Sequence, residues 1–211
     1  MLNIPFRNVN IDQFIDYSTA SIMFDRVAPQ SLAHANWSEE YPYRPSVSFR
    51  MLHGTSHFFL QFDVEEEFLR AQATKHNEAV WKDSCVECFL SFDNRETYYN
   101  IEFNILGTGL IGYGSADRKA RKRLDIGQVE RIATFSQITN VGNNKRWQMI
   151  LIIPKDIFGS NENLLSRGKV FANFYKCGDE LPQPHFISWK PIDSPSPNFH
   201  QPEFFGEIHF E

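Results

Sequence analysis

Apolar and polar residues alternate with a period of two along most of this chain, the pattern of half-buried β-strands. In the stretch 81–107, W-K-D-S-C-V-E-C-F-L-S-F-D-N-R-E-T-Y-Y-N-I-E-F-N-I-L-G, two such runs flank the polar cluster Asp93, Asn94, Arg95 and Glu96, which reads as a β-hairpin loop. Counting back from that loop pairs Phe92 with Thr97, Leu90 with Tyr99, Cys88 with Ile101 and Val86 with Phe103, an apolar face that must be core. Side chains alternate strictly along a strand, so the same register puts Glu87, Phe89, Ser91, Tyr98, Asn100, Glu102 and Asn104 on the other face. Glu87 then lies directly across from Glu102, and like charges so opposed are destabilising unless something answers them. This polar floor, with Trp81 at its entrance, reads as a surface built to contact something.

The rest of the chain follows the same period. Val47, Phe49 and Met51 point one way; after a turn at His53, Gly54 and Thr55, the residues Phe58, Leu60, Phe62 and Val64 share a face, with Phe59, Gln61 and Asp63 opposite. Further strands are expected over 129–138, 147–153, 170–176 and 206–210, a short one over 188–191, a turn over 140–145 and a helical turn over 154–158. Short helices are expected around 11–17 and 30–35. The segment 193–202, with Pro195, Pro197 and Pro202, cannot pair as a central strand. Eight or more strands without long helices between them predict an all-β fold, an antiparallel jelly-roll-like sandwich. Residues 1–211 are expected to form one domain, with 1–36 an extension packed on it.

Composition changes this picture little. Charged residues at 22% and hydrophobic ones at 42% suit a globular domain with a substantial core, and the 20 phenylalanines suit pleated, half-buried surfaces. A net charge of −5 gives no general electrostatic reason to expect nucleic acid or an anionic membrane as partner. No run approaches the ~18 apolar residues of a membrane span. One basic run, Arg118, Lys119, Arg121, Lys122 and Arg123, reads as a solvated loop or short surface helix. Three cysteines make no disulfide framework, and Cys85 and Cys88, on opposite faces of their strand, read as structural thiols. The amino terminus lacks the features of an export signal, which leaves a cytoplasmic chain or a processed exported one as the expectation.

Six motifs in order carry a resemblance: W-K-D-S-C-V-E-C-F-L (81–90), Y-Y-N-I-E-F-N-I-L-G (98–107), I-I-P (152–154), A-N-F (172–174), I-S-W (187–189) and N-F-H-Q-P-E-F-F-G (198–206). Together they resemble the carbohydrate-binding modules of family 9, sandwich domains of xylanases and other polysaccharide-degrading systems, related in fold to DOMON domains. The resemblance implies a mono- or disaccharide end gripped between two aromatic planes, with carboxylate, amide and basic side chains on its hydroxyls. By motif position Trp81 takes one plane and Phe199 the other, and Glu87 coincides with the family's binding glutamate. The chain departs from the pattern where Glu102 replaces a basic residue, Tyr175 a glutamine, and Phe204 a lysine.

Pyranose C–H faces stack on rings while hydroxyls need fixed donors and acceptors. The candidate binding set is therefore Trp81, Glu87, Asn100, Glu102, Asn173, Tyr175, Phe199 and His200, acting without catalysis on a mono- or oligosaccharide. Two alternatives stand beside it. Glu87 and Glu102 could be the acid and nucleophile of a glycoside hydrolase, whose carboxyls stand about 5 to 5.5 Å apart. The replaced basic residues favour an interaction-only sandwich with a decayed sugar site. No cofactor is required, although a structural calcium ion could neutralise the glutamate pair. The DOMON relationship adds haem held by Met51, Met149, His57 or His200, at spacings that mark no axial pair. Nothing in the sequence indicates an oligomeric state.

Overall fold

Alternation becomes two packed sheets in the computed structural model, which describes residues 1–14, 16–117, 119–159 and 169–211. The strands in chain order are β1 (Leu2–Ile4), β2 (Gln30–Ser31), β3 (His34–Ala35), β4 (Ser46–His53), β5 (His57–Glu66), β6 (Cys85–Ser91), β7 (Tyr98–Asn104), β8 (Gly109–Gly114), β9 (Lys122–Arg123), β10 (Ala133–Val141), β11 (Asn144–Pro154), β12 (Val170–Cys177), β13 (Phe186–Ser188) and β14 (Gly206–Phe210). The first sheet runs β1-β14-β12-β6-β7-β8-β9, with β13 beside β12 and β3 beside β13; the second runs β10-β11-β5-β4-β2. Pairing is antiparallel except between β1 and β14. The all-β sandwich expected from the alternation is the fold observed. Among the described residues no helix is long and apolar enough to cross a membrane.

The central hairpin has the expected register, with Leu90 opposite Tyr99, Cys88 opposite Ile101, Glu87 opposite Glu102 and Val86 opposite Phe103. Its strands end at Ser91 and Tyr98, so Phe92 and Thr97 belong to the loop. Asp93 holds that loop closed by accepting the Thr97 backbone N–H at 3.0 Å, while Asn94 and Arg95 turn the chain at positive φ. The inner faces meet in one core. Val86, Cys88, Leu90, Ile101 and Phe103 from the hairpin, with Ala172 and Phe174 from β12, pack against Val47, Phe49, Met51, Phe58, Leu60, Phe62 and Val64. Phe49 and Phe174 stack across the gap at 3.7 Å between ring centroids.

Three expectations from the pattern are corrected. Residues 30–35 form no helix: β2 pairs with β4 in one sheet and β3 with β13 in the other, so this strap joins both layers and edge pairing overrides local propensity. Residues 126–129 are a helical turn, α2 (Ile126–Val129), and the strand begins only at Ala133. Asp125 starts that turn by a reciprocal capping arrangement with Gln128. The turn over 140–145 shrinks to the two residues between Val141 and Asn144, where Gly142 takes φ 60°.

At the amino terminus a 3-10 turn (Ile11–Gln13) precedes α1 (Tyr17–Ser21), which starts at the capping residue Asp16; Ile15, within the helix expected over 11–17, lies outside the described residues. Ala20, Met23 and Phe24 cover Leu52, Phe59, Ile150 and Ile152 on the outer face of the second sheet. A 3-10 turn (Lys155–Phe158) follows Pro154 as expected. At one end of the sandwich, the fully buried Lys176 bonds Glu66 at 2.9 Å and His185 at 2.7 Å. Burial and the Lys176 charge push His185 down to about 2, so its neutral ring can face the ammonium and tie β12 to the chain entering β13.

Candidate functional site

The outer face of β12, β6, β7 and β8 is the floor of a cavity of about 510 Å³, within the size range of small-molecule sites. Register sets the floor in rows: Tyr175, Glu87, Glu102 and Leu110 lie side by side, and Asn173, Phe89, Asn100 and Gly112 form the next row. Of the eight candidate residues, Trp81, Glu87, Asn100, Glu102, Phe199 and His200 line this cavity together. Asn173 and Tyr175 lie outside its lining. Asn173 is buried and accepts the Lys190 N–H at 2.9 Å, fastening the 186–190 segment to β12. Tyr175 is buried behind Phe199, stacked at 4.2 Å and 12°, and its hydroxyl donates to the Phe199 carbonyl at 3.3 Å.

The two aromatic walls are held by different means. Trp81, half-buried, sits on a 3-10 turn (Val80–Lys82) just before β6. That turn is braced by Asp83, whose buried carboxylate accepts the N–H groups of Gln72 and Ala73, the Asn104 amide and Arg70. Burial alone would raise the Asp83 pKa, but these donors outweigh it and hold the group below the usual carboxylate range. Phe199 comes from the proline-rich segment after β13, with Trp37 at 6.0 Å and Phe186 at 6.1 Å around it. His200 follows, its Nδ1 hydrogen-bonded to the Tyr98 hydroxyl at 2.8 Å.

Glu87 and Glu102 are 3% and 4% exposed and face each other across β6 and β7, yet neither has an ion-pair partner among the described residues. Burial, then the adjacent Cys177 and Glu102, hold Glu87 well above the usual carboxylate range. Burial also raises Glu102 to about 7, against the opposing pull of Asn100, Arg121 and Arg123. The opposed pair is thus tolerated because the neutral forms are favoured. Glu87 Oε1 accepts from the Cys177 thiol at 3.1 Å and Glu102 Oε1 from the Asn100 amide at 2.7 Å. Among the described residues Glu102 Oε2 is buried with no hydrogen-bond partner. An unpaired carboxyl oxygen at a cavity floor is a place for a ligand's hydroxyl.

Sequence reasoning missed the cations. Arg121, Lys122 and Arg123, read as a solvated surface run, line the cavity at the β9 edge; Arg118, from the same run, lies outside the described residues. Arg121 stacks over the Tyr98 ring at 3.9 Å, donates to the carbonyls of Gly114 and Ser115, each at 3.0 Å, and bonds Asn100 Oδ1. Gly112 clears the approach, since a Cβ there would lie 2.4 Å from Asn100 Oδ1. The signal was Gly112 and Gly114 just ahead of the run: two vacant outer-face positions beside a strand of basic residues. Asp179, also in the lining, is raised to about 6 by burial and the neighbouring Glu180.

Calcium asks for six to eight oxygen ligands. The donors that converge beside the glutamate pair are instead Cys85, Glu87 and Cys177, within 4.8 Å of one another, and burial pushes Cys85 up to about 12. Two protonated thiols and one carboxyl do not fit calcium. Met51 and Met149 are sealed in the inter-sheet core, whereas His200 lines the cavity on the other side of the first sheet, so these form no haem axial pair.

Aromatic walls over a floor of carboxyl and amide groups, open on one outer face of a sandwich, define a small-ligand binding module. The chain belongs to carbohydrate-binding family 9, whose model matches residues 16–210, and its class of function is accordingly non-catalytic carbohydrate binding. A putative carbohydrate-binding protein from Bacteroides uniformis ATCC 8492 is 32% identical over 100% of this chain and 98% of its own, with a TM-score of 0.86. Two structures of a family 9 module from Caldicellulosiruptor kristjanssonii share the fold. The one with cellotriose is 13% identical, covering 100% of this chain and 93% of its own, TM-score 0.60. The one with glucose is 12% identical, covering 100% and 95%, TM-score 0.59. No curated protein sequence matches.

Proposed function

We propose that the cavity holds the end of a mono- or oligosaccharide, a pyranose ring lying against Trp81 and Phe199 with its hydroxyls on Glu87, Glu102, Asn100 and His200, in the service of polysaccharide catabolism. The observation that carries this reading is Glu102 Oε2, a buried carboxyl oxygen with no hydrogen-bond partner among the described residues, at the floor of an aromatic-walled cavity. Burial pushes the Glu87 pKa up, which favours the protonated form that can donate as well as accept to the same hydroxyls. The decayed-site alternative loses its main support, because Arg121 and Arg123 bring basic groups to the floor from a strand the motif positions do not include. The glucose and cellotriose held by the Caldicellulosiruptor modules are ligands of the same class.

The test is calorimetric titration with glucose, cellobiose and xylobiose. The wild type should give heats that vanish in Trp81→Ala while the melting temperature stays within a few degrees. Silence of the wild type across these three sugars and across uronic acids would reject the site. Turnover of aryl glycosides that is lost in Glu87→Gln would reassign it to a hydrolase.

A further inference from the structure

Resting on the saccharide reading, we propose that the preferred ligand is an acidic saccharide, a uronic acid unit whose carboxylate is met by Arg123 at the β9 edge while its ring lies between Trp81 and Phe199. The cavity's three cations all come from one short segment and stand at one side of the floor. The sheet order puts β9 at the outer edge beyond β8, four strand positions from β12, whose Tyr175 backs the Phe199 wall. Among the described residues none of Arg121, Lys122 and Arg123 forms an ion pair, although six other arginines and lysines at the protein surface do.

Their roles divide. Arg121 is spent on the carbonyls of Gly114 and Ser115 and on Asn100, so it shapes the floor and sets the local potential. Arg123 uses Nη1 on the Asn77 carbonyl at 2.5 Å, which anchors the guanidinium and leaves its other edge for a carboxylate. Lys122 is exposed too, but it pairs with Tyr113, whose ring stacks on Tyr99 of the inner face, whereas Arg123 pairs with Gly112 of the floor. Burial weakens the negative charge set against these cations: Glu87 is held well above the usual carboxylate range, Glu102 is raised to about 7 and Asp179 to about 6. A neutral hexose would leave the cationic edge in water and use only the floor. A uronate uses both, and its charge-assisted hydrogen bonds are the stronger kind.

The experiment titrates the full chain with glucuronic and galacturonic acids, with their methyl esters, and with glucose and galactose. The ester keeps the ring and removes only the charge. The expected result is that one acid binds about tenfold or more tightly than its ester. That ratio should shrink as salt rises and fall to near one in Arg123→Ala. The Arg123 side chain is exposed, and an unchanged thermal melt confirms that the variant is folded. An ester that binds as well as its acid overturns the acidic class and leaves the saccharide site standing. If neither acids, esters nor neutral hexoses bind, the saccharide reading itself fails and takes this inference with it.

Discussion

The two faces of the first sheet are built from the same strands and are both buried, but by different partners. The inner face of β6, β7 and β12 is covered by a second sheet of matching period, and apart from Lys176 at its end it is apolar. The outer face carries Glu87, Asn100 and Glu102 between Phe89, Tyr98 and Tyr175, and is covered by pieces from four distant parts of the chain: Trp37, Trp81, the β9 segment and residues 197–200. A regular partner leaves no gap and demands no polar group. A partner assembled from loops leaves a hollow, and the polar residues gather where the hollow is. Burial alone therefore does not separate core from site here; what separates them is whether the burying element repeats with the sheet.

The strongest break of that comparison is on the inner face. Phe174 stacks on Phe49 and packs edge-on against Trp189 at 5.7 Å. Phe174→Ala should cost about 3 to 5 kcal/mol in urea unfolding, with sugar affinity per folded molecule unchanged. A cost below about 1 kcal/mol would mean that the two sheets are not joined by the core described.

The inner face was legible in the sequence because alternation and a hairpin loop suffice to define it: the pairing of Cys88 with Ile101 and of Val86 with Phe103 follows from counting alone. The outer face was half legible. Trp81 and Phe199 stood out through motif position, and Glu87, Asn100 and Glu102 through the register. The cations did not, because their place depends on β9, a strand of two residues whose return onto β8 leaves no periodic trace. Tyr175 and Asn173 share the floor's side of β12, but parity says only which side a residue faces. What lies over it, Phe199 for one and the 186–190 segment for the other, is decided by chain that no local pattern connects to β12.

The buried carboxyls make the outer face sensitive to pH. Glu102 has its pKa raised in the folded state from 4.5 to about 7. The stability it contributes is present in full below pH 4.5 and is lost as pH rises through 7, because the unfolded chain ionises the group first. The span corresponds to on the order of 3 kcal/mol. Glu102→Gln should flatten the decline in stability between pH 4.5 and 7, measured by thermal melts across that range. A variant whose stability falls as steeply as the wild type would show that Glu102 is already ionised in the fold.

Trp81→Ala tests the same face without touching its charge. The ring is half-exposed and its turn is held by Asp83 rather than by the indole. Stability should fall by about 1 kcal/mol or less, while saccharide affinity falls by about 2 kcal/mol, roughly thirtyfold. Equal losses in both would make Trp81 a core residue.

The smallest effect is the most discriminating, because it separates residues that touch the ligand from those that hold the wall. Tyr175 supports Phe199 from behind by a stacked ring and one hydroxyl bond. Tyr175→Phe keeps the ring and removes the bond, leaving the Phe199 carbonyl without that donor inside the protein. The expected cost is about 1 kcal/mol in stability. Affinity should drop only a few-fold, through a less firmly held Phe199, and the binding enthalpy should stay close to that of the wild type because no hydrogen bond to the sugar is lost. A large loss of affinity with unchanged stability would place the Tyr175 hydroxyl on the ligand. The cavity would then extend past Phe199 to β12 when occupied, and the division between lining and support would have to be drawn one row further across the sheet.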